Sequence, residues 1–217
     1  MHVIVVSGGP PSPWPIGSPL ASSADLVIAA DSGYDHALGA GLTVDVLIGD
    51  LDSISAHGRD HAEANGVEII RHRPDKDATD LTLALDLAVD RGASSITLLA
   101  SGGGRLDHLL AGVLSLAEVP VPLRAVLGDS IVVPINPGPG AELSGRAGST
   151  LTLLPVGGPA HGVVTSGLRY RLDGETLHAG STRGVSNEFI DVHATVCLES
   201  GSLLAIAPAI IPSGDLS

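Results

Sequence analysis

Val44-Asp45-Val46-Leu47-Ile48-Gly49-Asp50-Leu51-Asp52-Ser53 passes from a short apolar run directly into an acidic turn. A run of this kind bounded by turn residues reads as a buried strand. In an open α/β sheet, the residues just past a strand's carboxyl end are those that meet ligands. The arrangement recurs along the first half of the chain. Leu26 to Ala30 ends in Asp31-Ser32-Gly33, and Val67 to Ile70 leads to Asp75-Lys76-Asp77-Ala78-Thr79-Asp80. Ile96 to Ala100 ends in Ser101-Gly102-Gly103-Gly104-Arg105-Leu106-Asp107-His108. Asp50, Asp52, Asp75, Asp77 and Asp80 would repel one another unless a divalent cation or a cationic ligand neutralised them. The pattern suits a hydrated metal ion held against phosphate oxygens.

With Val3 to Val6, these runs predict a mostly parallel sheet covered by helices, an α/β architecture. Thr79 to Arg91 is expected as a helix. It carries Leu81, Ala84, Leu85 and Ala88 at helical spacing, Thr79 as N-cap and Gly92 as stop. A second helix is expected from Asp107 to Glu118, apolar on most sides and hence well buried, before Pro120 and Pro122. That break divides the chain into expected domains 1–119 and 120–217. Beyond it come brief β-like runs, Leu123 to Leu127, Ile131 to Ile135, Thr150 to Leu154, Gly162 to Val164, Phe189 to Val196 and Leu203 to Ile206, the spacing of an antiparallel sandwich or barrel. Leu172-Asp173-Gly174-Glu175 is expected as a type I′ hairpin turn. Pro10 to Pro19 reads as an irregular loop and Pro212 to Ser217 as a frayed tail.

Charge narrows the function. With 24 acidic residues against 11 basic, the formal net charge is -13, which argues against nucleic acid or an anionic membrane as partner. Lys76, the only lysine, sits inside the second acidic run. Cys197 is alone, so no intrachain disulfide forms; it reads as a packed thiol in an apolar alternating stretch and fits a reducing cytosol. The opening Met1 to Ser7 has no basic region, and its apolar run is too short for a signal sequence or a membrane span, so a soluble cytoplasmic protein is expected.

Asp50 and Asp52, two apart at a strand end, are placed to point alike toward one cation, and Mg²⁺ favours a few carboxylates beside water and phosphate oxygens. Lys76 and Arg105 are placed to hold the remaining phosphate charge. Each piece also has a plainer reading. Asp-x-Asp after a strand is ordinary turn chemistry, the triple glycine is a tight strand-to-helix turn, and Asp80 is an acid favoured at a helix start. No Gly-x-x-x-x-Gly-Lys-Ser/Thr loop is present, which argues against an ordinary P-loop nucleotidase. His57 and His61, four apart, lack a third ligand at sensible spacing and are expected at the surface. Ser186-Asn187-Glu188 reads first as a polar turn. Joint placement of the acids with Arg105 is what favours a site.

The assembled pieces resemble the thiamine pyrophosphokinase family. They are Ala30-Asp31-Ser32-Gly33, Gly49-Asp50-Leu51-Asp52-Ser53, Asp77-Ala78-Thr79-Asp80-Leu81, Gly103-Gly104-Arg105-Leu106-Asp107-His108, Ser166-Gly167-Leu168-Arg169-Tyr170 and Gly184-Val185-Ser186-Asn187-Glu188, in the family's order. The resemblance implies an N-terminal nucleotide-binding α/β/α domain, a C-terminal antiparallel β-sandwich that binds thiamine, and a homodimer with active sites between subunits. It implies that ATP and thiamine give AMP and thiamine diphosphate, with Mg²⁺. Asp50, Asp52 and Asp80 then look like metal-binding and catalytic acids, with Asp77 as a further metal ligand. Asp31, Ser53, Lys76, Thr79, Gly103, Arg105 and His108 look like ATP contacts. Tyr170, Ser186 and Asn187 look like thiamine contacts, Tyr170 standing where many relatives carry a tryptophan that stacks on thiamine. Asp107, at a helix start, is expected to orient or deprotonate the thiamine hydroxyl. A diphosphokinase for another alcohol, such as a hydroxymethyl pterin, and a non-catalytic nucleotide or thiamine sensor stay open beside this reading.

Overall fold

A computed structural model of the chain describes residues 1–10, 24–73, 75 and 77–208, so Lys76, most of the Pro10 to Pro19 stretch and the tail from Pro212 lie outside the described residues. Two compact units divide the chain, Met1–Gly128 and Asp129–Ser217.

The first unit contains β1 (His2–Ser7), β2 (Leu26–Ala30), α1 (Gly33–Gly39), β3 (Val46–Gly49), α2 (Ala56–Ala64), β4 (Glu68–Arg71), α3 (Asp80–Asp90), β5 (Ser95–Ala100), α4 (Leu106–Ser115) and β6 (Leu123–Leu127). Every pairing among these strands is parallel, in the order β4-β3-β2-β1-β5-β6. Burial on both faces explains why β1 and β2 read as unbroken apolar runs. The order reverses between β1 and β5. A ligand crevice is expected at the carboxyl ends there, and the loops after β1, β2, β3 and β5 all lie at that edge. Tyr34, Leu47, Leu51 and Ile54 pack in the core beside Ile4 and Val6. On α3, Thr79 Oγ1 accepts from Thr82 N at 3.2 Å and caps the helix, with Ala84, Leu85 and Ala88 buried as their spacing predicts.

Two expectations need correction here. Leu123 to Leu127, assigned by the sequence to the second half, pairs in parallel with β5, so the division falls after Gly128 rather than after residue 119. The second predicted helix forms as α4 plus a 3-10 turn at Leu116–Glu118, but it is not well buried. Leu106, Leu110 and Leu114 are 66%, 52% and 50% exposed. Spacing by four places them in one row on a helix face, and apolar composition does not say whether the same chain covers that row.

The second unit contains β7 (Ser130–Ile135), β8 (Ala141–Ser144), β9 (Thr150–Ser166), β10 (Asp173–Leu177), β11 (Asn187–Glu188), β12 (His193–Cys197) and β13 (Ser200–Pro208), with all pairings antiparallel. Two runs read separately, Thr150 to Leu154 and Gly162 to Val164, belong to the single 17-residue β9. Its Pro155 stays in register opposite Leu203 despite the flanking Pro and Gly signals. Asp173-Gly174 is not the hairpin turn predicted. Gly174, at φ 74°, lies at a register shift between β10 and β9, so its positive φ serves a bulge instead. The core gathers Leu151, Leu153, Val163, Leu177, Phe189, Val196 and Leu203. Cys197 is exposed rather than packed, because the alternation along β12 turns Ala194 and Val196 inward and leaves Cys197 outside. No helix among the described residues is long and apolar enough to cross a membrane.

Candidate active site

β2 and β3 end side by side, Ala30 opposite Ile48. Both chains then turn through the left-handed region, Asp31 at φ 46° and Leu51 at φ 63°. Non-glycine residues hold that conformation only with support, and these two support each other. Asp31 N donates to the Ile48 carbonyl at 3.0 Å, and Asp31 Oδ1 accepts from Leu51 N at 2.9 Å. The Leu51 side chain is buried, while Asp50 is half-buried and Asp52 exposed. Asp52 N donates to Asp50 Oδ1 at 3.2 Å.

One carboxylate oxygen from each of Asp31, Asp50 and Asp52 lies within 4.8 Å of the others. Burial pushes the Asp31 carboxyl up to about 7; the Leu51 N–H opposes this, and the charge of Asp80, a side-chain hydrogen bond with Asp80 and the charge of Asp50 add to it. Asp80, the first residue of α3, therefore belongs to the same group. Four carboxylates at one rim, one of them raised to about 7 chiefly by burial, form an all-oxygen donor set of the kind a hard divalent cation takes. Asp31, expected from sequence as a nucleotide contact, stands within this acid group.

Gly49, at φ 145°, lets these acids meet, since a Cβ there would press into the Asp31 carboxylate. Gly49→Ala is expected to cost about 1–3 kcal/mol of stability, read by chemical denaturation; unchanged stability would show that the Asp31 carboxylate is not confined as described.

The acids open onto a cleft of about 910 Å³ at the sheet's carboxyl edge. Asp31, Asp50, Asp52, Ser53, Asp77, Thr79, Asp80, Gly103, Arg105 and His108 all line it, so it collects most of the first-unit residues singled out from sequence. Leu81, Leu98, Leu109 and Val113 add an apolar wall. The sequence reading missed Ser7-Gly8-Gly9, which also line the cleft. The glycine pair after the first apolar run was the available signal. His36 Nε2 donates to the Gly9 carbonyl at 2.8 Å and steadies that loop.

Asp107 is not among the lining residues. Arg105 Nε and Nη2 donate to its two oxygens at 3.2 and 2.7 Å, both side chains being exposed. The Arg105 hydrogen bond holds the Asp107 carboxyl down to about 2. Of the histidine pair, His57 is exposed, whereas His61 is half-buried and bonded through Nδ1 to the Tyr34 hydroxyl at 3.0 Å.

In the second unit Tyr170 is 54% exposed and Asn187 buried. Asn187 Nδ2 donates to the Tyr170 carbonyl at 2.8 Å, and its Oδ1 accepts from Tyr170 N and Glu188 N, both at 2.9 Å. The side chain imitates a strand partner and fixes the Tyr170 backbone, so its amide is largely committed within the protein. Ser186 is exposed at φ 56°, its N donating to Thr152 Oγ1 at 3.1 Å.

Comparison with known proteins agrees with this layout. Residues 18–125 match the pattern described as "Thiamin pyrophosphokinase, catalytic domain" and residues 136–203 match "Thiamin pyrophosphokinase, vitamin B1 binding domain". The thiamine pyrophosphokinase of Bacillus subtilis (strain 168) is 27% identical over 205 residues, 93% of this chain and 96% of that one. A crystal structure of the Bacillus subtilis enzyme superposes with a TM-score of 0.81 at 26% identity, covering 97% of this chain and 100% of that one. A family member from Enterococcus faecalis gives 0.79 at 27%, with coverage of 97% and 100%. With both domain patterns matched in order and the fold shared nearly end to end, the chain belongs to the thiamine pyrophosphokinase family.

Proposed function

We infer that the chain transfers the pyrophosphoryl group of ATP to the hydroxyl of thiamine, giving thiamine diphosphate and AMP. The observation that carries this reading is the convergence of Asp31, Asp50, Asp52 and Asp80 with Arg105 and His108 on one cleft, in a chain related along its length to thiamine pyrophosphokinases. The thiamine hydroxyl oxygen bonds to the β-phosphorus as its proton passes to solvent water. The bond from β-phosphorus to the α,β-bridging oxygen breaks, and AMP keeps that oxygen. Such a transfer depends mainly on alignment and charge neutralisation.

Asp31, Asp50, Asp52 and Asp80 would hold Mg²⁺, with Asp77 beside them. When bound, the ion neutralises charge on the phosphate oxygens. Ser53, Lys76, Thr79 and Gly103 are assigned to the nucleotide, and Arg105 and His108 to its phosphates. Asp107, paired through both oxygens with Arg105 and held down to about 2 by that hydrogen bond, is assigned to orienting the thiamine hydroxyl rather than deprotonating it. Tyr170 offers a ring to thiamine, with Ser186 and Asn187 shaping its surroundings. The first unit is thus read as an α/β/α catalytic domain and the second as a β-sandwich for thiamine. A cytoplasmic homodimer with sites between subunits completes the proposal, supported by the single cysteine and the exposed row Leu106, Leu110 and Leu114.

The protein should be incubated with ATP, Mg²⁺ and either thiamine or a hydroxymethyl pterin, with products identified by mass. AMP and thiamine diphosphate should form in equal amounts. Preference for the pterin, or AMP without thiamine diphosphate, would overturn the assignment.

A further inference from the structure

Arg59 lies on α2, outside the lining of the cleft. Its Nη2 donates to the Leu51 carbonyl at 2.8 Å, and its Nε is buried with no hydrogen-bond partner among the described residues. A guanidinium stays charged at every working pH, and a buried N–H left unmet is a cost that native structures seldom carry without a reason. The reason lies in what the other nitrogen holds. Leu51 is the left-handed residue between Asp50 and Asp52, at φ 63°. Its side chain is set in the core and its N–H is taken by Asp31 Oδ1. The Arg59 bond to its carbonyl supplies a third anchor, on the side of the peptide that leads to Asp52.

The start of α2 is itself fixed. Ser55 N and Oγ donate to the Asp35 carboxylate at 2.8 and 2.6 Å, and Ser55 Oγ caps the helix by accepting from Gly58 N at 2.9 Å. Arg59 therefore reaches the acidic loop from a rigid base.

We propose that Arg59 is a positioning residue for the Asp50-Leu51-Asp52 loop: by holding the Leu51 carbonyl it keeps the strained backbone turned and both flanking carboxylates set before any ligand arrives. The part that concerns Mg²⁺ rests on the function proposed above; the hold on the loop does not.

The test compares Arg59→Met and Arg59→Lys in the full chain. Without ligand, amide exchange at Leu51 and Asp52, followed by NMR, should quicken at least about 10-fold in Arg59→Met, the scale of losing one charged hydrogen bond. Amides of β3 and α3 should be unchanged, and Arg59→Lys should recover most of the protection. The Mg²⁺ concentration giving half-maximal turnover should rise about 10–100-fold in Arg59→Met, as for other residues that orient metal ligands, with kcat at saturating Mg²⁺ changed only slightly. Unaltered exchange at Leu51, a uniform rise across the first unit, or an unaltered Mg²⁺ requirement despite a loosened loop would each overturn the proposal. Mg²⁺ dependence that survives Asp50→Ala would instead remove the metal reading, leaving the exchange data to decide whether Arg59 holds the loop.

Discussion

Asp50→Ala is expected to lower Mg²⁺-dependent turnover by at least about 10³-fold, with the protein still folded. Asp50 sits at the end of β3, within 4.8 Å of oxygens from Asp31 and Asp52, so its removal takes one carboxylate from the group best placed to hold the ion. The loop should survive. Leu51 is anchored by its core side chain, Asp31 and Arg59, and Asp50 contributes a long 3.2 Å acceptor contact to Asp52 N. Release of AMP against Mg²⁺ concentration, with a thermal melt beside it, separates lost chemistry from lost fold. Turnover near that of the unaltered chain would contradict the metal assignment.

The second large effect is on stability. With its carboxyl raised to about 7 by burial and by the nearby charges of Asp80 and Asp50, native Asp31 keeps a proton that the unfolded chain has already released. The native state binds more protons between about pH 4 and 7, so stability falls as pH rises through that window and levels off above it. A shift of this size corresponds to up to about 4 kcal/mol. Asparagine tolerates the left-handed backbone at 31 and keeps an oxygen for Leu51 N. Asp31→Asn should therefore flatten the pH dependence and melt higher than the unaltered chain at pH 8 in EDTA. Adding Mg²⁺ should raise the unaltered chain's melting temperature at pH 8 and the variant's much less. Parallel melting curves from pH 4.5 to 8 would exclude Asp31 as the source of the slope.

Much of the site could be read without coordinates, for a definite reason. In a parallel sheet every strand runs the same way, so the residue after each apolar run lands at one edge. Asp50, Asp52, Asp80, Arg105 and His108 were found by that rule, and all line the cleft. Chemistry that depends on neighbours distant in the chain could not be found so. Asp31 joins the acids because β2 pairs with β3 and its carboxylate takes the Leu51 N–H. Arg105 binds Asp107 in a way that weakens Asp107 as a base. Arg59 carried no signal in the sequence at all.

Local patterns, then, were enough for the elements whose cause is local: the apolar runs that became β1 to β5, the Thr79 cap, the end of α3 before Gly92, and the strand-end placement of the acids. Contacts far apart in sequence decided the rest: the parallel pairing that draws Leu123 to Leu127 into the first unit, the joining of two short runs into β9, the bulge at Gly174, and the uncovered row of leucines on α4. Apolar periodicity says which side chains leave water, but which surface receives them, and which carboxylates come to lie together, depends on strands and helices that meet only once the chain has folded.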